Sequence, residues 1–229
     1  MAAKIITVCN QKGGSGKTMV AMTLAGAIGT RGFKVTLVDC DRQGTATQWY
    51  AAAPDDNPFP AVVTNLAPAR GNIQGPLKEI AQSNDVVVID TPPSLESPVV
   101  AKALLFSDLV IVPMIPAVGD LWATTELNEV INQARALRED LVVRIVPNMM
   151  QTTSLATVIR DAIDQIGLPV AVSALTLRTA YRQALASGTT VLTLRDPKAI
   201  QEAMHLADEV LGLLHLPLKL KKPKLIKSR

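Results

Sequence analysis

The chain has 229 residues, 48% of them hydrophobic, and a formal net charge of +3. That length suits one well-buried α/β domain, and no apolar run approaches the roughly 20 residues that span a bilayer, so a soluble protein is expected. Cys9 and Cys40, the only cysteines, lack the spacing of a zinc site or disulfide framework, and the N-terminus lacks the apolar stretch of a signal peptide. A reducing cytoplasm is the expected compartment.

Residues 4–9 read as a short buried strand. A glycine-rich loop follows, then a helical pattern carried by Met19, Met22, Leu24, Ala27 and Ile28 that stops at Gly29 and Gly32. Residues 34–39 form a second strand ending in an acid, and 45–53 read as a helix until Pro54 and Pro58 break it into a surface loop. Further apolar strands lie at 85–90, 108–113 and 141–146, with helices at 97–105, 121–137, 154–166, 179–186 and 197–214. Apolar, non-alternating strands separated by helices predict an α/β fold of one domain, a mostly parallel sheet with helices on both faces, and the glycine-rich loop between the first strand and the first helix makes it a P-loop fold.

That domain is expected to occupy residues 1–215. Residues 216–229 form a basic tail in which Lys219, Lys221, Lys222, Lys224, Lys227 and Arg229 meet no acid, while Pro217 and Pro223 oppose a helix. The tail is either solvated and flexible or a local contact for a polyanion. The rest of the chain is weakly acidic, which argues against a globally basic nucleic-acid binder.

The chemistry concentrates in Gln11-Lys12-Gly13-Gly14-Ser15-Gly16-Lys17-Thr18. Gly16, Lys17 and Thr18 meet the phosphate-loop pattern, although Gln11 stands where its first glycine is usual. Successive backbone N–H groups at a helix N-terminus hold anions, and glycines let the backbone approach phosphate closely. Lys17 can place its ammonium on the β- and γ-phosphates, and the Thr18 hydroxyl can ligate Mg²⁺. A glycine turn that binds nothing is the alternative, but the loop sits between a predicted strand and a predicted helix, as the motif requires. Asp41, just past the second strand, suits orienting an attacking water or holding Mg²⁺ through water, whereas Asp39 reads as structural or as standing behind the metal.

Lys12-Gly-Gly-Ser-Gly-Lys-Thr18 resembles the deviant Walker A sequence of the ParA/MinD family, and the resemblance extends over nearly the whole chain. It implies that Lys12 reaches across a dimer interface to the other subunit's nucleotide, so that ATP drives homodimerisation. Asp39-Cys40-Asp41-Arg42-Gln43 resembles the family's D-x-D-P-Q motif, with Arg42 in place of proline. By the same resemblance, Lys12, Lys17 and Asp41 are the catalytic residues. ATP contacts run over Lys12, Gly13, Gly14, Ser15, Gly16, Lys17, Thr18 and Met19, and Thr18, Asp41 and Asp90 serve Mg²⁺. Asn148 matches the position whose amide reads adenine, although turn formation is the commoner reason for asparagine at a strand end. Pro197 belongs to the adenine-side loop.

The chain begins at the P-loop strand, so no N-terminal helix-turn-helix is expected, and the short, ParF-like class is the best match. That class implies an ATPase that binds nonspecific DNA as an ATP dimer, is nucleoid-associated in that state, and positions a plasmid, chromosome or other cytoplasmic cargo. A ParB-like or other cargo adaptor protein releases it by stimulating hydrolysis. Arg178 and Arg182, four residues apart on one face of the predicted helix, with Lys198, are the candidate DNA contacts; an ordinary solvated helix edge is the alternative. A MinD-like membrane positioner would need a C-terminal amphipathic helix that Pro217 and Pro223 interrupt, so a membrane track is not expected. A non-catalytic adaptor switched by ATP binding is a further alternative. Iron–sulfur and tyrosine-kinase relatives are disfavoured by the cysteine positions and by Tyr50 and Tyr181 being the only tyrosines.

Overall fold

The computed structural model describes residues 2–94, 97–115, 118–151 and 167–218, with the side chains of 118–125 excepted. Strands β1 (Lys4–Val8), β2 (Val35–Asp39), β3 (Val62–Asn65), β4 (Val86–Asp90), β5 (Leu109–Met114) and β6 (Val142–Pro147) form one sheet in the order β3-β2-β4-β1-β5-β6. Every strand pairing within it is parallel, among the described residues. The chain moves outward from β1 through β2 to β3, returns with β4, then crosses to β5 and β6 on the other side. Crevices at the carboxyl ends of strands flanking such a reversal are where open α/β sheets bind ligands.

The apolar strand runs divide residue by residue between two faces, because strand side chains alternate. In β4, Val86 and Val88 enter the core beneath α1 (Lys17–Thr30), α2 (Thr45–Ala51), α6 (Thr179–Ala186) and α7 (Pro197–Leu213), whereas Val87 and Ile89 face the opposite side. That opposite side is covered by α3 (Gln74–Ser83), α4 (Pro98–Phe106) and α5 (Val118–Leu137), packed through residues such as Leu77, Val99, Leu127 and Ile131. The expectation of a parallel sheet with helices on both faces is therefore met.

Two elements carry no clear sequence signal. Strand β3 is an edge strand with Val62 exposed, and it follows a proline-rich stretch. Helix α3 has Gly75 and Pro76 in its first turn and buries only Leu77. The predicted helix at 154–166 and the basic residues from Lys219 onward lie outside the described residues. No described helix is long and apolar enough to cross a membrane.

Candidate nucleotide site

The glycine loop joins the C-terminal end of central strand β1 to the N-terminus of α1. Asn10 fastens its start, donating from Nδ2 to the Pro113 carbonyl at 2.7 Å and accepting the Lys12 N–H at Oδ1 at 3.0 Å. Gly14 and Gly16 adopt φ of 80° and 84°, which only glycine enters cheaply. A Cβ added at Gly13 or Gly14 would meet nothing within 4 Å, so the outer loop faces open space. Gly16 is the N-cap of α1 and supplies no side-chain cap, leaving the first-turn N–H groups to a ligand from outside the helix.

Lys17 is 7% exposed, and its Nζ donates to the Lys12 carbonyl at 3.1 Å. Burial lowers its pKa, while Asp90 and Asp41 act in the opposite direction. The two carboxylates thus offset part of what burial costs its charge. Thr18 Oγ1 donates to Asp90 Oδ2 at 2.7 Å, which places the two predicted metal-side groups in contact. Asp90 Oδ1 and Ser15 Oγ are buried with no hydrogen-bond partner, and buried polar groups in native proteins are seldom left so.

The two acids after β2 separate by role. Asp39 is fully buried and committed to the fold, accepting the Asp41 N–H at 3.1 Å, the Thr47 N–H at 2.9 Å and the Thr47 hydroxyl at 2.7 Å. Asp41 is half-buried at the rim, where its Oδ1 accepts the Gln43 N–H at 3.0 Å. Asp41, not Asp39, therefore keeps carboxylate capacity to spend on a ligand.

Asn148 is fully buried beneath the loop, with Nδ2 donating to the Ser15 carbonyl at 2.8 Å and Oδ1 unpartnered. A Cβ at Gly16 would overlap Asn148 Nδ2. The donor half of the amide thus holds the phosphate loop, a contact that sequence spacing could not reveal. On the adenine side, Asp196 caps α7 by accepting the Lys198 and Ala199 N–H groups, each at 3.1 Å, and sets Pro197 as its first residue. An apolar cavity of about 180 Å³ adjoins the start of α1, lined among others by Met19, Met149, Leu177 and Tyr181.

Arg178 and Arg182 both line this cavity, but not by the helical spacing expected. Arg178 is the N-cap of α6, with extended backbone at φ −129° and ψ 146°, so helical spacing does not align it with Arg182. Its guanidinium contacts Glu202 at 3.0 Å and Asp196 at 3.8 Å. Glu202 also accepts the Tyr181 hydroxyl at 3.0 Å and the Thr176 hydroxyl at 2.8 Å, tying α6 and its preceding loop to α7. Neither Glu202 nor Asn10 carried a sequence signal. Arg182 and Lys198 are exposed.

These residues fit ATP with Mg²⁺. The open backbone cradle, the buried ammonium and the unpartnered Asp90 oxygen are the groups a polyphosphate and its metal would complete. Among the described residues no cluster of three or more His, Cys, Asp or Glu could hold a metal ion, so phosphate oxygens and water must supply most of a Mg²⁺ shell, as is usual for this ion. Cys9 and Cys40 contribute no nucleophile, since burial pushes each thiol up to about 12.

Burial also pushes the Asp90 carboxyl up to about 7, with the Thr18 hydrogen bond opposing and Asp39 adding to the rise. Folding therefore favours its neutral form, and the resulting stability, full below the usual carboxylate range, is lost as pH rises toward 7. A metal held by Thr18 and Asp90 would require this carboxylate in its ionised form. Binding of preformed Mg-ATP below pH 7 should thus release a proton, read as a dependence of the calorimetric heat on buffer ionisation enthalpy. Asp90→Asn should abolish that dependence; native heats identical in all buffers would contradict it.

Strand, glycine loop, helix N-terminus, buried lysine and threonine–aspartate contact together define a P-loop nucleotide-binding protein. The chain belongs to the CobQ/CobB/MinD/ParA nucleotide binding domain family, whose model matches residues 6–191, and this family is one of nucleotide-binding ATPases. It is 31% identical over 212 residues to the maintenance of carboxysome distribution protein A of Halothiobacillus neapolitanus, covering 90% of this chain and 95% of that one. Its fold matches a Cyanothece McdA–ATP complex at a TM-score of 0.77 and 17% identity, over 94% of this chain and 98% of that one. It also matches a Pyrococcus horikoshii septum site-determining MinD complexed with Mg-ADP, at a TM-score of 0.73 and 20% identity, over 96% and 100% of the two chains.

Proposed function

We propose that this protein is an ATPase that dimerises on ATP, binds nonspecific DNA in that state and positions a cytoplasmic cargo, and that a cargo adaptor releases the ATPase from DNA by stimulating hydrolysis. The observation that carries the nucleotide chemistry is the junction of Lys17, Thr18 and Asp90 beneath an open glycine loop. Likeness to a carboxysome-distribution protein over most of both chains supports a cargo other than a replicon and a cytoplasmic site of action. Mg²⁺, when bound, would neutralise phosphate charge and withdraw electron density from the reacting phosphoryl group. Lys17 binds and neutralises the phosphates, Thr18 and Asp90 hold the metal side, and Asp41 orients the attacking water. Lys12 would reach across the dimer interface to a partner's nucleotide.

For DNA, the exposed Arg182 and Lys198 are the candidate contacts within the described residues, and dimerisation would double them. Arg178 is held by Glu202 and Asp196, so its share in binding phosphate would require it to leave them. The expected result is duplex binding that requires ATP, ignores sequence and weakens with salt, with log affinity falling by about 0.9 per log unit of salt for each phosphate contact. Arg182→Glu with Lys198→Glu should remove most of this binding while ATP affinity stays unchanged, as read by filter binding across a salt series. Equal binding without nucleotide would place the contact in the basic tail; no binding in either state would sink the DNA reading.

A further inference from the structure

The loops after β2 and β4 enclose a cleft beside the proposed water-orienting Asp41. Its volume is about 400 Å³, and Asp41, Arg42, Arg70, Ser94 and Ser97 line it over an apolar floor that includes Pro98 and Val99. A second pocket of about 310 Å³ shares Arg42, Ala67 and Arg70 with it and extends to Asn65. Arg42 stands where proline is usual in the motif after β2. Neither guanidinium makes a hydrogen bond or ion pair among the described residues, and both arginines are exposed.

Both are mounted on fixed backbone. The turn bearing Arg42 is closed by hydrogen bonds from Gly44 N–H to the Asp41 carbonyl at 3.0 Å and from Gln43 N–H to Asp41 Oδ1 at 3.0 Å. Arg70 has φ 48° and ψ 40°, left-handed values that a residue with a side chain seldom adopts. It is held there by its neighbour, because the Gly71 carbonyl accepts Lys102 Nζ at 2.8 Å and a Cβ on Gly71 would come within 3.0 Å of Pro98. Strain of this kind persists where surrounding structure imposes it, and it clusters at binding and switch sites.

We propose that this cleft is a docking site for an acidic peptide segment of the partner protein, with its carboxylates held by Arg42 and Arg70. Two unpartnered guanidinium forks match carboxylates in charge and in planar geometry, and the proline and valine floor accepts the apolar side chains between them. A lone inorganic anion would leave most of the volume unfilled. A duplex follows open basic surface, whereas here Asp41 forms one wall of a recess. Since Asp41 lines the same cleft, an occupant touches the loop that carries the proposed water-orienting carboxylate. The peptide's owner is the adaptor of the proposed function, and the proposal rests on that reading only for this attribution.

The test uses the full chain and a short fluorescein-labelled peptide of alternating glutamate and alanine, followed by fluorescence anisotropy. Arg42→Gln and Arg70→Asn should each weaken binding about tenfold, the loss of one charge-assisted contact; asparagine tolerates the left-handed backbone at position 70. Lys34→Gln, at the opposite end of β2, should leave binding unchanged. An equal loss in Lys34→Gln, competition by inorganic phosphate at the peptide's own concentration, or displacement by duplex DNA with the same dependence on Arg42 and Arg70 would each overturn the proposal. Calorimetry of ATP with the native chain and Arg70→Asn separates the two readings. Undetectable ATP binding in the native chain would defeat the proposed function and leave the anisotropy result to judge the cleft alone.

Discussion

Lys17→Gln is expected to weaken ATP binding by about 2–5 kcal/mol, the usual cost of removing one partner from a buried charged contact, which corresponds to roughly thirtyfold to several thousandfold in Kd. The size follows from burial. Lys17 is 7% exposed at the base of the loop, where water cannot replace the lost charge, and the phosphates would then face Asp41 and Asp90 without it. The fold should tolerate the change, because glutamine keeps a donor for the Lys12 carbonyl and escapes the desolvation that lowers the lysine pKa. Calorimetry paired with thermal unfolding checks both parts. Unchanged affinity in a folded variant would remove the loop from the nucleotide site.

Asp41→Ala acts on the other half of the reaction. Turnover should fall on the order of a hundredfold, the scale seen when one preorganised polar group is taken from a reacting centre, while ATP affinity and ATP-dependent dimerisation persist. Asp39 cannot substitute, since its two oxygens are occupied by Asp41 and Thr47 in holding the loop to α2. Phosphate release at saturating ATP provides the measurement, and the ATP dimer of the variant should outlive that of the native chain. Normal turnover would shift the role to a water held by backbone.

The phosphate loop was legible in the sequence because its chemistry is local: glycine freedom, one lysine and one hydroxyl lie within a few residues, between a strand and a helix. The sheet was legible because strands buried on both faces are apolar throughout. What escaped depends on distant partners or on weak local pattern. Asn10 anchors the loop through Pro113, and Asn148 holds Ser15 from the end of β6; neither contact has a periodicity to betray it. Strand β3 lies at the sheet edge with few buried side chains, so its pattern is faint.

Arg178 shows that two residues can line one cavity without sharing a helical face. The helix over Thr179–Ala186 was found with its bounds intact, yet spacing by four residues implies a shared face only when both residues are helical. Arg178 precedes the helix with extended backbone, and Glu202, contributed by another helix, determines where its guanidinium lies. The separation of Asp39 from Asp41 was legible in the sequence; the structure adds that Thr47 is what occupies the first acid.

Sedimentation velocity with and without nucleotide tests the central claim most directly. The account predicts a monomer that becomes a dimer with Mg-ATP and not with Mg-ADP, and it predicts that Lys12→Ala, with ATP binding retained, stays monomeric. A native chain that remains monomeric at saturating ATP, or a Lys12→Ala chain that dimerises as the native one does, would contradict it.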